Sequence, residues 1–172
     1  MAKKEEKTNV MRLLEQKKIP YKEHTYLSQM STNGAEIAKI LGENPDKVFK
    51  TLVTVGKSKT NYVFVLPVEK ELDLKKAAKI VGEKSIDMIK QKELLPLTGY
   101  VHGGCSPIGM KKALKTIFDE SAKDFDTIYI SGGKVGYQVE LSLSDIEKMI
   151  RLETADIAVS YTHLTLPTTP YV

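Results

Sequence analysis

Residues 97–112, Leu-Thr-Gly-Tyr-Val-His-Gly-Gly-Cys-Ser-Pro-Ile-Gly-Met-Lys-Lys, hold the densest set of groups in this chain that could handle a ligand. Gly99, the Gly103-Gly104 pair and Gly109 let main chain run close to a bound molecule, because glycine has no Cβ to block approach. Pro107 stiffens the middle of the run. Gly, Ser and Pro also dominate ordinary turns, and for a single run that would be the preferred reading. A second stretch, Ser131-Gly132-Gly133-Lys134-Val135-Gly136, and a lysine set inside an apolar run at Lys50 add weight to a site. Together they suggest backbone N–H donors around a pocket, which suits an ester carbonyl or a phosphate better than an apolar ligand.

Reactive side chains are sparse. Cys105 could serve as a nucleophile with His102 as its base, and Ser106 is a second candidate. Against them, a lone cysteine in a glycine-rich turn is more often a small buried filler, and a serine before proline a turn hydroxyl. His24, His102 and His163 are scattered, with no His-Glu-x-x-His spacing, so no metal is expected. The stretch around Gly132 lacks the Gly-x-x-x-x-Gly-Lys-Ser/Thr spacing of a phosphate loop, which disfavours nucleotide hydrolysis.

The elements that must position these groups fit in one domain, since 172 residues leave little room for two cores. Hydrophobic residues at 41% and charged residues at 28% are ordinary for a globular chain, and no run reaches the roughly 20 apolar residues of a bilayer span. No membrane association and a cytoplasmic location are expected, without a secretory leader. The single cysteine excludes an internal disulfide, and a net charge of +4 permits a polyanionic partner without requiring one.

In chain order, Thr8 can cap a helix carrying Val10, Leu13 and Leu14, ended by Ile19-Pro20. Residues 21–26 alternate as a short strand, and residues 31–33 offer a cap for a helix over 35–41, closed by Gly42. Residues 48–55 and 62–66 read as paired strands, with Lys50, Val48, Leu52 and Thr54 on one face and Phe49, Thr51, Val53 and Val55 on the other. Lys50 thus marks an exposed edge or points into a cleft. Asp73 caps a helix over 74–81, and a further helix is expected to begin at Ser85 with Ile86, Met88 and Ile89. Strands follow at 116–119, 127–130 and 137–141, with a helical turn at 121–125. A capping box at Ser144-Asp145-Ile146-Glu147 opens the last helix. The domain is expected to span residues 1–160. Residues 161–172, uncharged and rich in Thr and Pro, read as an appendage outside the fold.

The chain resembles the YbaK/EbsC group, free-standing Cys-tRNA(Pro) and Cys-tRNA deacylases. The resemblance rests on Lys7-Thr8-Asn9, Val48-Phe49-Lys50-Thr51-Leu52, Leu72-Asp73-Leu74-Lys75-Lys76, Thr98-Gly99-Tyr100, Gly103-Gly104-x-Ser106-Pro107-x-Gly109 and Thr127-Ile128-Tyr129-x-Ser131-Gly132-Gly133-Lys134. It implies an α/β (α+β) fold with a mixed, mainly antiparallel, barrel-like sheet surrounded by helices. It also implies hydrolysis, in trans and without a cofactor, of the ester joining cysteine to tRNA(Pro). Proline and cysteine are similar in volume, and a small apolar pocket separates such side chains by only about 1 to 3 kcal/mol, so a second enzyme must remove the error.

By the same resemblance Lys50 is the catalytic residue, where its cation can meet a phosphate or the developing oxyanion. Gly103, Gly104, Ser106, Pro107 and Gly109 form the pocket loop, Gly132 and Gly133 the second glycine turn, and Tyr26 and Asn33 line the same pocket. The family works through the substrate's own thiol, which with a pKa of about 8.5 is a few per cent thiolate at neutral pH. The expected partners are the tRNA(Pro) acceptor end and prolyl-tRNA synthetase. Three alternatives remain at this stage: a deacylase for Ala-tRNA(Pro) or another small amino acid, a non-catalytic tRNA- or synthetase-binding module, and a Cys105-dependent hydrolase.

Overall fold

Thr8 opens the first helix as the sequence suggests, its hydroxyl accepting from the Met11 N–H at 3.2 Å. The computed structural model describes residues 7–26 and 34–159. Helix α1 (Asn9–Gln16) buries Val10, Met11 and Leu14 on one stripe. Strand β1 (Lys22–Thr25), helix α2 (Gly34–Leu41) and a short 3-10 turn at Pro45–Lys47 follow. Asn33 and the other residues proposed to cap α2 lie outside the described residues, as do 160–172.

Strands β2 (Phe49–Gly56) and β3 (Asn61–Pro67) form the expected hairpin, with Lys50 opposite Leu66 and Val53 opposite Val63. β3 is buried on both faces. Its Val63 and Val65 enter one apolar cluster while Tyr62, Phe64 and Leu66 enter another, so the strand reads as an unbroken hydrophobic run. Helix α3 (Leu74–Val81) is capped by the Asp73 carboxylate, which accepts from the Lys75 and Lys76 N–H groups, and ends at Gly82 in the left-handed region.

The chain departs from expectation at residues 85–98. Ile86–Met88 is a strand, β4, antiparallel to Thr54–Gly56 of β2. Helix α4 (Gln91–Thr98) starts only at the polar run and carries Pro96 within it. The apolar residues at 86, 88 and 89 fit a short strand as well as one helical turn, and the free edge of β2 decides the matter by pairing with them.

Strand β5 (Lys115–Asp119) runs parallel to β3, and after a 3-10 turn at Glu120–Asp124 come β6 (Ile128–Ser131) and β7 (Tyr137–Leu141). Helix α5 (Leu143–Met149) is capped two residues before the expected box. Its cap is Ser142, whose hydroxyl accepts from the Asp145 N–H at 3.1 Å. Strand β8 (Leu152–Ala155), which sequence reasoning did not identify, lies parallel to β5.

Three strands make one sheet in the order β1-β7-β6, and five make the other in the order β4-β2-β3-β5-β8. The pairing is mixed and mainly antiparallel, as expected, but the sheet does not close into a barrel. Among the described residues a single parallel bridge, Val48 to Tyr129, joins the two sheets. The larger core cluster fills the space between them, taking Phe49, Val53, Phe118, Ile130 and Val139 together with Val10 and Met11 of α1. The smaller one packs Ala77 and Ala78 of α3 on the opposite face of the five-stranded sheet.

Candidate active site

A cleft opens where the two sheets part. β6 meets this strand at Val48, just before β2, and toward its other end the β4 segment covers it from Val53, whose carbonyl accepts from the Ile89 N–H, onward. Between those points the outer edge of β2 is uncovered. Val48 accepts from Val68 N–H on the β3 side, and Gly56 N–H donates to Thr60 on that side too. Antiparallel alternation therefore turns the main-chain groups of Lys50 and Leu52 toward β3 and those of Thr51 toward the open edge. The cleft has a volume of about 530 Å³, within the roughly 300–1,000 Å³ usual for small-ligand sites.

Lys50, Thr51, Tyr26, Ser131, Gln138 and Gly103 are among its lining residues. Among the described residues Lys50 is the only lysine or arginine in the lining. It is half-buried, and its Nζ donates to the Val68 carbonyl at 3.3 Å. Among the described residues no carboxylate stands within ion-pair distance of it. Burial pushes its ammonium below the ordinary lysine range, and the Glu71 charge pulls partly back. Of the two placements the strand pattern allowed, edge or cleft, the structure selects the cleft.

Two of the lining residues also carry a buried polar atom without a partner. Thr51 Oγ1 and Gln138 Oε1 are sealed from solvent and accept or donate no hydrogen bond among the described residues. Such atoms cost stability while nothing pairs with them. Behind Gln138 lies Glu43, whose carboxyl is raised by burial. The Gln138 amide beside it opposes that shift, yet neither Glu43 oxygen gains a hydrogen bond of good geometry.

The sequence-predicted residues divide into two groups. Tyr26, Lys50 and Gly103 line the cleft, and Asn33 lies outside the described residues. Gly104, Ser106, Pro107, Gly109, Gly132 and Gly133 are not among the lining residues. Their main-chain donors are largely spent inside the protein: Gly104 N–H on the Val101 carbonyl, Gly132 N–H on the Tyr137 carbonyl and Gly133 N–H on Ser131 Oγ. Ser106 is fully buried and its Oγ accepts from the Ile108 N–H at 3.3 Å. A Cβ on Gly104 would stand 2.9 Å from Val135 N, and one on Gly133 2.9 Å from Val10 Cγ2. The two glycine stretches thus pack on each other and on α1 to build the wall behind the cleft.

Sequence reasoning passed over Thr51, Ser131 and Gln138 as site residues. A weak signal was present for Gln138, a neutral amide beside Val139 in the strand Tyr137–Leu141, and the structure leaves it only 6% exposed.

The reactive inventory stays short. The Cys105 thiol lines the cleft at 8% exposure, and burial pushes its pKa up to about 12, Thr98 offsetting a little. It is therefore a thiol and not a thiolate near neutrality. Among the described residues no group of His, Cys, Asp and Glu is placed to hold a metal. The cleft can bind, orient and place positive charge, and no side chain in it is set up as an activated nucleophile.

A cation-bearing cleft at the parting of two sheets, backed by paired glycine loops, defines the class. The chain belongs to the aminoacyl-tRNA editing domain family, whose model matches residues 29–149. It is 44% identical over 160 residues to a protein of Enterococcus faecalis, EbsC, assigned as a Cys-tRNA(Pro)/Cys-tRNA(Cys) deacylase, covering 91% of this chain and 98% of that one. It is also 22% identical over 138 residues to the proline–tRNA ligase of Lactobacillus helveticus, covering 76% of this chain but 24% of the ligase. Among solved structures, one assigned as a trans-editing enzyme for prolyl-tRNA synthetase superposes with a TM-score of 0.78 at 24% identity, over 88% of this chain and 95% of that chain. Among the described residues no helix is long and apolar enough to cross a membrane.

Proposed function

We propose that this protein deacylates Cys-tRNA(Pro) in trans, with Lys50 as the catalytic residue and the substrate's own thiol as the nucleophile. The observation that carries the reading is Lys50 itself, a half-buried cation that, among the described residues, has no carboxylate partner and no activated nucleophile beside it in the cleft. A desolvated ammonium has its largest effect on an anion that appears only in the transition state.

The step balances without a protein nucleophile. The cysteinyl thiolate attacks its own ester carbonyl, forming a C–S bond and an oxyanion that Lys50 stabilises. The carbon–oxygen bond to the ribose then breaks, the ribose oxygen takes up a proton, and water opens the cyclic thioester to free cysteine. Holding the chain folded for that attack is the protein's contribution, since well-oriented intramolecular reactions gain as much as about 7–11 kcal/mol. The open Thr51 main chain receives the α-amino group, with Tyr26, Ser131 and Gly103 beside it. Such an enzyme works in the cytoplasm beside prolyl-tRNA synthetase, which supplies the mischarged tRNA.

Purified protein offered a panel of aminoacyl-tRNAs should release cysteine from Cys-tRNA(Pro) and leave Ala-tRNA(Pro), which has no thiol, intact. Lys50→Ala should abolish release while the protein stays folded. Full activity in that variant would sink the assignment, and rapid hydrolysis of Ala-tRNA(Pro) would sink the thiol mechanism.

A further inference from the structure

Charge is unevenly distributed around the cleft. Residues 84–112, which supply β4, α4 and the glycine loop, carry five lysines against two acidic residues, whereas residues 113–159 carry five basic residues against nine acidic ones. The basic segment is also the wall of the cleft: Met88, Ile89, Gln91, Leu94, His102 and Gly103 all line it. Lys90 sits between two of those lining residues and Lys92 follows the second. Lys111 is tied to the far end of α4 by its N–H on the Thr98 carbonyl at 2.9 Å and its Nζ on the Pro96 carbonyl at 3.5 Å. Lys112 follows it.

Among the described residues none of Lys90, Lys92, Lys111 and Lys112 enters an ion pair, and all four are exposed. From Lys90, just before α4, to Thr98 at its end, where Lys111 is tied, the helix rises about 12 Å, the axial rise of three to four nucleotides at about 3.4 Å each. Between and beside them stand Met88, Leu95 and Val101, exposed at 47%, 53% and 50%. Exposed apolar side chains interleaved with unpaired cations offer bases a surface on which to shed water and phosphates a countercharge.

We propose that this wall is the landing strip for the tRNA acceptor end. Lys111 and Lys112 at one end of α4 and Lys90 and Lys92 at the other neutralise successive phosphates of the strand whose 3′ terminus enters the cleft. The proposal rests on reading the cleft as an aminoacyl-ester site, and its test separates the two. The pairs Lys90→Glu/Lys92→Glu and Lys111→Glu/Lys112→Glu are compared with Lys123→Glu, a lysine in the 3-10 turn after β5.

Two readouts are needed: binding of uncharged tRNA as a function of salt, and hydrolysis of Cys-tRNA(Pro) beside hydrolysis of 3′-O-cysteinyl-adenosine, which has no phosphates. Each double variant should raise KM for the tRNA ester at least tenfold with kcat retained. Each should also flatten the salt slope by about 1.4 to 1.8, the release of two counterions. Hydrolysis of the adenosine ester should be unchanged, which also shows that the variants fold, and Lys123→Glu should match the parent. If the parent hydrolyses neither ester but the double variants still lose tRNA binding, the surface stands and the reading of the cleft falls. If the double variants bind and deacylate tRNA as the parent does, the surface is overturned. Loss of prolyl-tRNA synthetase binding with tRNA binding intact overturns it equally.

Discussion

Gly104 lies against Val135: a Cβ added to Gly104 would stand 2.9 Å from the Val135 nitrogen and 3.1 Å from the Lys134 Cα. The obstacle is main chain, so it cannot swing aside as a flexible side chain could. Gly104→Ala should therefore push the two glycine stretches apart, at a cost of about 1–3 kcal/mol for overpacking. Since Gly103 beside it lines the cleft, the variant should lose activity out of proportion to its loss of stability. Thermal melting alongside deacylation kinetics checks both, and an unchanged melting temperature would contradict the contact.

Lys50 costs the fold stability, because burial disfavours its charged form. Its folded pKa is depressed, so in the window just below the usual lysine value the unfolded chain binds more protons than the folded one. Stability from this group therefore rises with pH through that window. Lys50→Met, which keeps the stem and removes the charge, should be more stable than the parent at neutral pH and inactive. The advantage should shrink as the pH approaches the ordinary lysine pKa, as denaturant titrations at several pH values would reveal.

Glu43 should behave in the opposite sense with pH. Burial raises its carboxyl, His24 and the Gln138 amide oppose the rise, and Glu140 adds to it. The penalty of holding a buried carboxylate is present at neutral pH and is relieved as pH falls through the raised folded pKa toward the ordinary carboxylate value. Glu43→Gln should thus melt higher than the parent at pH 7, with the gap closing in acid. A gap that persists at low pH would mean that the substitution acts through packing.

Cys105 should be dispensable. With its pKa pushed up to about 12 by burial, the thiolate fraction near neutrality is negligible. Cys105→Ala should keep near-parental kcat on Cys-tRNA(Pro), and iodoacetamide should label the native protein only slowly, as mass spectrometry would follow. Loss of turnover in Cys105→Ser with the fold intact would instead revive a protein nucleophile.

Much of this architecture was legible in the chain. Thr8 and Asp73 announce their helices because a cap is a local hydrogen bond among neighbours, and the β2–β3 hairpin is marked by two β-branched runs around a polar turn. Lys50 stood out because a cation in an apolar strand has few places to go, and family likeness pointed to the same residue. Residues 85–98 and strand β8 were not legible, since their form depends on a distant edge, β2 in one case and β5 in the other.

The cleft itself belongs to tertiary structure. Local sequence can say that glycines let main chain approach something, but not what approaches. Here Gly104 and Gly133 admit the protein's own backbone and the Val10 side chain, and their N–H groups are consumed internally. The Thr51 main chain is left open because the β4 and β6 segments cover the β2 edge at its two ends and not in the middle. Chain neighbours determine caps, turns and periodicity. Which polar atom is left without a partner is decided only when strands far apart in sequence meet or fail to meet.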